Sequence, residues 1–196
     1  MNNIYYDIII KEVNMMNKFI KEVYPYVIIV IVVVLIRSFI VTPVIVNGPS
    51  MEKTLYEGEL LILNKIDKEF NKIDRFDIVV INDKKDKELI IKRIIGMPGD
   101  KVEYIDNKLY INDELVKDVY RNGKTKNFRI KDICMTDEKY NGNCEFDVVP
   151  DDTYLVLGDN REVSLDSRVL GFISSDDIKG TTRLRLWPLN KIGMVK

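Results

Sequence analysis

The sequence predicts a mainly β protein: one N-terminal apolar helix, then a predominantly antiparallel β-sheet domain carrying a small inserted β cap. Three observations lead there. Residues 24–36 read YPYVIIVIVVVLI without a charge. From Val44 onward the chain breaks into short apolar or alternating runs punctuated by Gly, Pro, Asn and Asp, the pattern of strands and turns. Few windows in that stretch repeat at helical spacing, so sheets must bury most of the core.

The apolar run is the first element. As helix, residues 24–36 reach only about 20 Å, short of the roughly 30 Å hydrocarbon core, whereas residues 24–41 reach about 27 Å if Arg37 snorkels toward a headgroup. Pro25 suits the first turn of such a helix, and Tyr24 and Tyr26 suit an interfacial belt. A buried parallel strand is the alternative, because the run is rich in Val and Ile. A long lead before the run and the closing Ile40-Val41-Thr42-Pro43 fit an uncleaved anchor rather than a cleaved leader. Lys11, Lys18 and Lys21 before the run, against Arg37 and Lys53 after it, set a slight bias toward a cytoplasmic N-terminus.

The strands follow at 44–46, 59–63, 77–81, 88–95, 101–105, 108–111 and 153–157. Asp106-Asn107 and Asn112-Asp113 are hairpin signals. Residues 122–143 are polar and turn-rich and read as a surface insertion. The expected organisation is an N-terminal segment 1–23, a transmembrane anchor 24–41, a β core made of 42–105 and 150–196, and an inserted hairpin or cap region 106–149.

Composition narrows the chemistry. The 196 residues hold 30 Lys+Arg against 31 Asp+Glu, two cysteines and no histidine. Without histidine there is no Ser-His-Asp or Cys-His triad, no His-ligated metal and no His general base. A net charge of −1 leaves no electrostatic footprint for nucleic acid. Cys134 and Cys144 make neither a four-thiolate metal site nor a CxxC motif, so no metal and no cofactor is expected; they form one disulfide or remain two thiols.

The nucleophile search then falls on six serines, the threonines and the cysteines. Ser50 lies in Asn47-Gly48-Pro49-Ser50-Met51, where a strand ends in a tight Gly-Pro turn that holds the hydroxyl at the rim of a sheet. A serine without histidine needs another base, and a neutral lysine serves if its pKa falls from about 10.4 to roughly 7 to 8. Most lysines here sit among charges, as in Lys84-Lys85-Asp86-Lys87. Lys92 differs, because strand alternation puts Ile90 and Ile94 beside it while Ile91, Arg93 and Ile95 share the other face. An edge lysine with a snorkelling head is the plainer alternative.

Four ordered segments carry a resemblance: Ser50-Met51 with Thr54-Leu55; Asp77-Ile78-Val79-Val80; Lys92-Arg93-Ile94-Ile95-Gly96-Met97-Pro98-Gly99-Asp100; and Gly158-Asp159-Asn160-Arg161 through Ser164, Asp166, Ser167, Arg168 and Gly171-Phe172-Ile173. Together with the preceding anchor the chain closely resembles bacterial type I signal peptidase from about Tyr24 to Leu186. The resemblance implies a membrane-bound serine endopeptidase of the Ser-Lys type. Its substrates are the signal peptides of exported preproteins, and its single-pass anchor sits in cytoplasmic membrane lipids with the catalytic domain on the extracytoplasmic side. It implies Ser50 as nucleophile and Lys92 as general base, with Ser164 hydrogen-bonding the lysine ammonium. Asp166 and Arg168 match a structural ion pair and Asp159 an acidic supporting position; Arg161 and Glu162 read as turn or solvated charges. The substrate is expected to lie extended beside residues 45–48 and 77–81, with small side chains at the first and third positions before the cut.

The chain departs from the family pattern in places. Gly48 stands where some members carry a serine that assists the oxyanion hole, so Gly48, Pro49 and the Ser50 N–H are the substrate-proximal backbone. Lys53 replaces a common proline and Phe76 a usual glycine. Two rival readings remain: a self-cleaving Ser-Lys repressor, against which the anchor argues, and a membrane-tethered β-rich binding module or inactive relative, against which the intact Ser50 and Lys92 argue.

Overall fold

The chain separates into two units, Met1–Ile40 and Val41–Lys196. The computed structural model describes residues 2–39, 41–70, 72–84, 88–140 and 142–195, with side chains described except at 2–14, 36–39 and 41.

The first unit is one helix, α1 (Asn2–Phe39). The apolar run is therefore helical, which excludes the strand alternative. Pro25 lies inside α1 rather than in its first turn, because the Lys-, Glu- and Met-containing residues ahead of it also favour helix. Tyr24 and Tyr26 are exposed. Among the described residues no helix is long and apolar enough to cross a membrane. Residues 36–41, which close the expected span and include Arg37, lie outside the described side chains, as do Lys11 and the charges at 85–87.

The second unit runs β1 (Val41–Ile45), β2 (Leu60–Asn64), a single-turn α2 (Ile66–Glu69), β3 (Ile78–Asn82), β4 (Leu89–Gly96), β5 (Val102–Ile105), β6 (Lys108–Ile111), β7 (Glu114–Val116), β8 (Phe128–Arg129), α3 (Ile130–Thr136), β9 (Thr153–Leu157), α4 (Ser167–Leu170), β10 (Ile173–Ser174), β11 (Ile178–Trp187) and β12 (Gly193–Met194). All seven expected strands are present, the first displaced toward the N-terminus. They form a large sheet in the order β1-β2-β11-β3-β4-β9-β10, with β12 beside β11, and a small sheet in the order β7-β6-β5-β8. Every pairing between these strands is antiparallel. The hairpin signals act as read: Asp106, Asn107, Asn112 and Asp113 all have positive φ, the backbone that tight two-residue turns demand.

The ten-residue β11 is the longest of the strands the sequence reading lacks, and it lies in the middle of the large sheet between β2 and β3. Its cations are answered by neighbouring strands and loops: Arg183 pairs with Asp77, and Arg185 with the buried Glu59. With β11 on one side and β4 on the other, β3 has no free edge. The expectation that substrate lies beside residues 77–81 is thereby overturned. Among the described residues, the free edges near Ser50 and Lys92 are those of β1, which pairs only with β2, and of the first half of β4, since β9 meets β4 only from Arg93 onward.

The stretch 122–143 is not a surface insertion. Phe128, Ile130, Ile133 and Cys134 are buried in a core cluster with Tyr104, Leu109, Leu155 and Phe172. Cys134 and Cys144 form a disulfide, which decides between the two readings of these cysteines. A second cluster, including Val44, Met51, Leu61, Val80 and Ile91, and a third, including Val79, Ile81, Ile94 and Val156, lie on opposite faces of the β3-β4 pair, as strand alternation requires.

Candidate active site

The site forms where β4, the turn after β1 and the loop after β9 meet. Ile90 and Ile94 belong to one core cluster and Ile91 to another, so the residue between them, Lys92, emerges on the face of Ile90 and Ile94. Its side chain is almost fully enclosed, at 4% residue exposure. Lys92 Nζ donates to Ser50 Oγ at 2.9 Å. Burial pushes the Lys92 pKa down from 10.5 to about 8; Asp166 pulls it back up, Arg168 pushes it down and Asp83 raises it. That is about 3 kcal/mol of preference for the neutral amine relative to an ordinary lysine.

Ser50 is held by its turn. Gly48 has φ +75°, a conformation an L side chain rarely adopts, and it lets the chain swing from β1 into Pro49-Ser50. A single turn closes behind it, with Thr54 and Leu55 N–H groups bonded to the Met51 carbonyl, while Met51 and Leu55 are buried. The Ser50 carbonyl accepts from Asn160 N–H, and the Pro49 carbonyl accepts from the Asn160 side chain. The Ser50 N–H has no hydrogen-bond partner among the described residues. The peptide bond entering Lys53, where the family pattern commonly has proline, is cis.

The loop after β9 carries four buried or half-buried charges, each answered. Arg93, on the face of β4 opposite Lys92, forms a fully buried ion pair with Asp159. Both Arg93 Nε and one terminal nitrogen donate to that carboxylate at 2.8 and 2.7 Å, and Thr54 Oγ1 donates to it as well. Arg93 also donates to the Phe76 carbonyl and stacks at 3.7 Å on the ring of Tyr120. Phe76, standing where a glycine is usual, adopts φ 70°, and its ring meets that of Tyr120 at 5.5 Å. Asp166 takes two hydrogen bonds from the Arg168 guanidinium, at 2.8 and 2.9 Å, one from the Arg168 N–H and one from the Gly158 N–H.

Arg161 departs most from its sequence reading. It is 2% exposed rather than solvated. It donates to the Gly158 carbonyl, to Tyr104 Oη and Thr125 Oγ1, and forms an ion pair with Asp118. Glu162, by contrast, is exposed as expected, and its carboxylate accepts from Lys124 N–H. Ser164 does not meet the Lys92 ammonium: its buried Oγ has no hydrogen-bond partner among the described residues. It sits instead against Gly158, where a methyl group would lie 2.2 Å from Ser164 Oγ and 2.5 Å from the Ser50 carbonyl oxygen. Only glycine allows that approach.

Ser50, Lys92, Ser164, Asp159, Asp166, Arg168, Gly48 and Pro49 are thus drawn into one neighbourhood. Arg93 and Asn160, which the motif segments include without a stated role, complete it, together with Asp118 and with Asn122, whose N–H donates to the Asp159 carbonyl; the last two had no signal of their own, since each takes its place only through a distant partner. Among the described residues no group of His, Cys, Asp and Glu could hold a metal ion.

The family described as signal peptidase, peptidase S26, matches residues 17–187. The chain belongs to that family. It is 37% identical over 170 residues to signal peptidase IB of Staphylococcus aureus, covering 82% of this chain and 85% of that one. It is 36% identical over 206 residues to signal peptidase I of Streptococcus pneumoniae, covering 92% and 98%. A crystal structure of a signal peptidase I from Enterococcus faecalis aligns at 34% identity over 56% of this chain and 95% of that one, with a TM-score of 0.46.

In this peptidase the Arg161-Asp118 pair ties the loop after β9 to the small sheet. Replacing Arg161 by Ala strands the Asp118 carboxylate, whose side chain is 4% exposed. The expected loss is about 3–5 kcal/mol of folding stability, read from the denaturant midpoint.

Proposed function

We propose that this chain is a membrane-tethered serine endopeptidase that removes signal peptides from exported preproteins, with Ser50 as nucleophile and Lys92 as general base. The observation that carries this reading is the 2.9 Å contact between Ser50 Oγ and a lysine nitrogen whose pKa burial lowers to about 8. Family membership supports the peptidase class, and the family's printed name supplies the substrate. The tether is read from the sequence of residues 24–41, and the extracytoplasmic placement of the catalytic unit from the family resemblance. The division into a catalytic β core, 42–105 with 150–196, and an inserted region, 106–149, belongs to the same proposal.

The substrate strand adds to the free edges of β1 and of residues 89–92 in β4, by main-chain hydrogen bonds. Neutral Lys92 accepts the Ser50 proton as Oγ attacks the scissile carbonyl, and the resulting oxyanion faces the unpartnered Ser50 N–H. Collapse of the tetrahedral intermediate breaks the C–N bond; the Lys92 ammonium delivers its proton to the leaving amine, leaving an ester on Ser50. Lys92, neutral again, takes a proton from water as the hydroxide attacks the ester; collapse of this second intermediate breaks the ester C–O bond, releases the acyl product as a carboxylic acid, and the Lys92 ammonium returns its proton to Ser50 Oγ. The fixed Asp159-Arg93 and Asp166-Arg168 pairs support the loop against which Ser50 rests. Confining enzyme and signal helix to one bilayer raises their effective concentration.

Ser50→Ala and Lys92→Ala each abolish cleavage of a labelled preprotein in detergent, measured by mapping the new N-terminus. Normal turnover by either variant sinks the dyad. Lys92→Met, which removes a buried ammonium, raises stability at pH 6–7 by up to about 3 kcal/mol in a denaturant titration while also abolishing cleavage. The sign follows from the lowered pKa: the penalty of the charged form is complete below pH 8 and is relieved as pH rises toward 10.5. Activity accordingly rises with pH through an acidic limb centred near 8; a limb only below about pH 5 would mark a carboxylate base instead.

A further inference from the structure

The lane beside β4 that a substrate strand can occupy is short. It is open along residues 89–92 and closed from Arg93, where Leu157 of β9 takes the pairing position. Lys92, and with it Ser50, lies at the closed end. A peptide whose reacting carbonyl reaches Ser50 therefore cannot run straight on in the sheet past this point. One side of the scissile bond lies in the lane, and the chain on the other side must leave the sheet beside the loop that follows Leu157.

That loop opens onto a groove of about 770 Å³. Ser164 lines it and is also the residue packed, through Gly158, against the Ser50 carbonyl. The groove thus starts one side chain away from the candidate nucleophile. The Ser164 Oγ beside it is buried and has no hydrogen-bond partner among the described residues. Phe128, Ile133 and Val169 give the groove an apolar lining, and Lys124 and Lys126 stand at its exposed rim. Its volume falls within the range of sites that enclose a bound ligand, which for an extended chain means several residues.

We propose that this groove, between the small sheet with α3 and the loop carrying α4, holds the first residues of the mature chain, those following the scissile bond. The proposal rests on the signal-peptidase reading above, in which the signal side occupies the strand lane. Binding of this remote segment steadies the scissile carbonyl against Ser50, so it acts on turnover efficiency as well as affinity. The small sheet is then a wall of the substrate site as well as a support for the loop after β9.

Two preproteins with one signal peptide test this, the first ending two residues after the cut and the second carrying about ten mature residues. The full chain cleaves the longer substrate with kcat/KM about tenfold higher. Val169→Trp and Lys126→Trp, at exposed positions on opposite walls, remove that advantage while leaving kcat/KM for the short substrate unchanged. Equal efficiency of the unaltered enzyme on both substrates overturns the groove assignment, as does either variant that keeps the length preference or slows both substrates alike. Failure of the unaltered enzyme to cut either substrate at the signal boundary overturns the signal-peptidase reading instead.

Discussion

Withdrawal of one lysine from water is the constraint around which this protein is arranged. An ammonium inside a β-sheet domain loses hydration that no single counter-ion restores, and the cheapest response is to shed its proton. Lys92 is placed for this by strand alternation in β4, which gives it the face of Ile90 and Ile94 and gives Arg93 the other. The two adjacent cations have opposite fates. Arg93 is buried with a carboxylate, a backbone carbonyl, a hydroxyl and an aromatic ring around it. Among the described residues Lys92 has the Ser50 hydroxyl as its one direct hydrogen-bond partner. Asp166 is near enough to raise its pKa, but Arg168 sits on Asp166 and opposes it, so desolvation wins.

The loop from Gly158 to Arg168 converts that constraint into geometry. It is fastened to the Ser50 turn through Asn160, to β4 through Asp159, to the small sheet through Arg161 and to itself through Asp166. Buried ion pairs of this kind add little net stability compared with apolar packing, but breaking one is expensive, and this makes the loop a stiff reference for the Ser50-Lys92 contact. Gly158 sets the tolerance, since no larger residue lets the Ser50 carbonyl and Ser164 approach together. Phe76 shows the same economy at a departure from the family pattern: a left-handed backbone at a non-glycine residue is strained by roughly 1–2 kcal/mol, offset by its contact with Tyr120.

Local signals in the sequence reach far into this structure. Period-two alternation and paired Asn/Asp turns locate the strands from β1 to β6 and β9, and the isolated Lys92 among isoleucines points to the site before any contact is known. What stays hidden depends on distant pairing. In β11 the alternation is broken by Gly180 and by the threonines, and its arginines read as solvated until Asp77 and Glu59 are seen across the sheet. Arg161 looks like a turn charge because its partners, Asp118 and Tyr104, are brought to it by the small sheet. The free edge that a substrate can use follows from sheet order, which the unseen β11 controls; hence β4 rather than β3 offers it. Pro25, a helix starter by local rules, is overridden by the helix-favouring residues ahead of it.

The account stands on Ser50 being a nucleophile activated by neutral Lys92. The most direct test is intact-mass and peptide mapping of the full chain after exposure to a serine-directed acylating probe across pH 6 to 10. A single adduct on Ser50, forming faster as pH rises through about 8 and absent when Lys92 is Met, is the predicted result. A chain that acquires no adduct, an adduct on another serine, or an Ser50 adduct whose rate ignores the loss of Lys92 would contradict it.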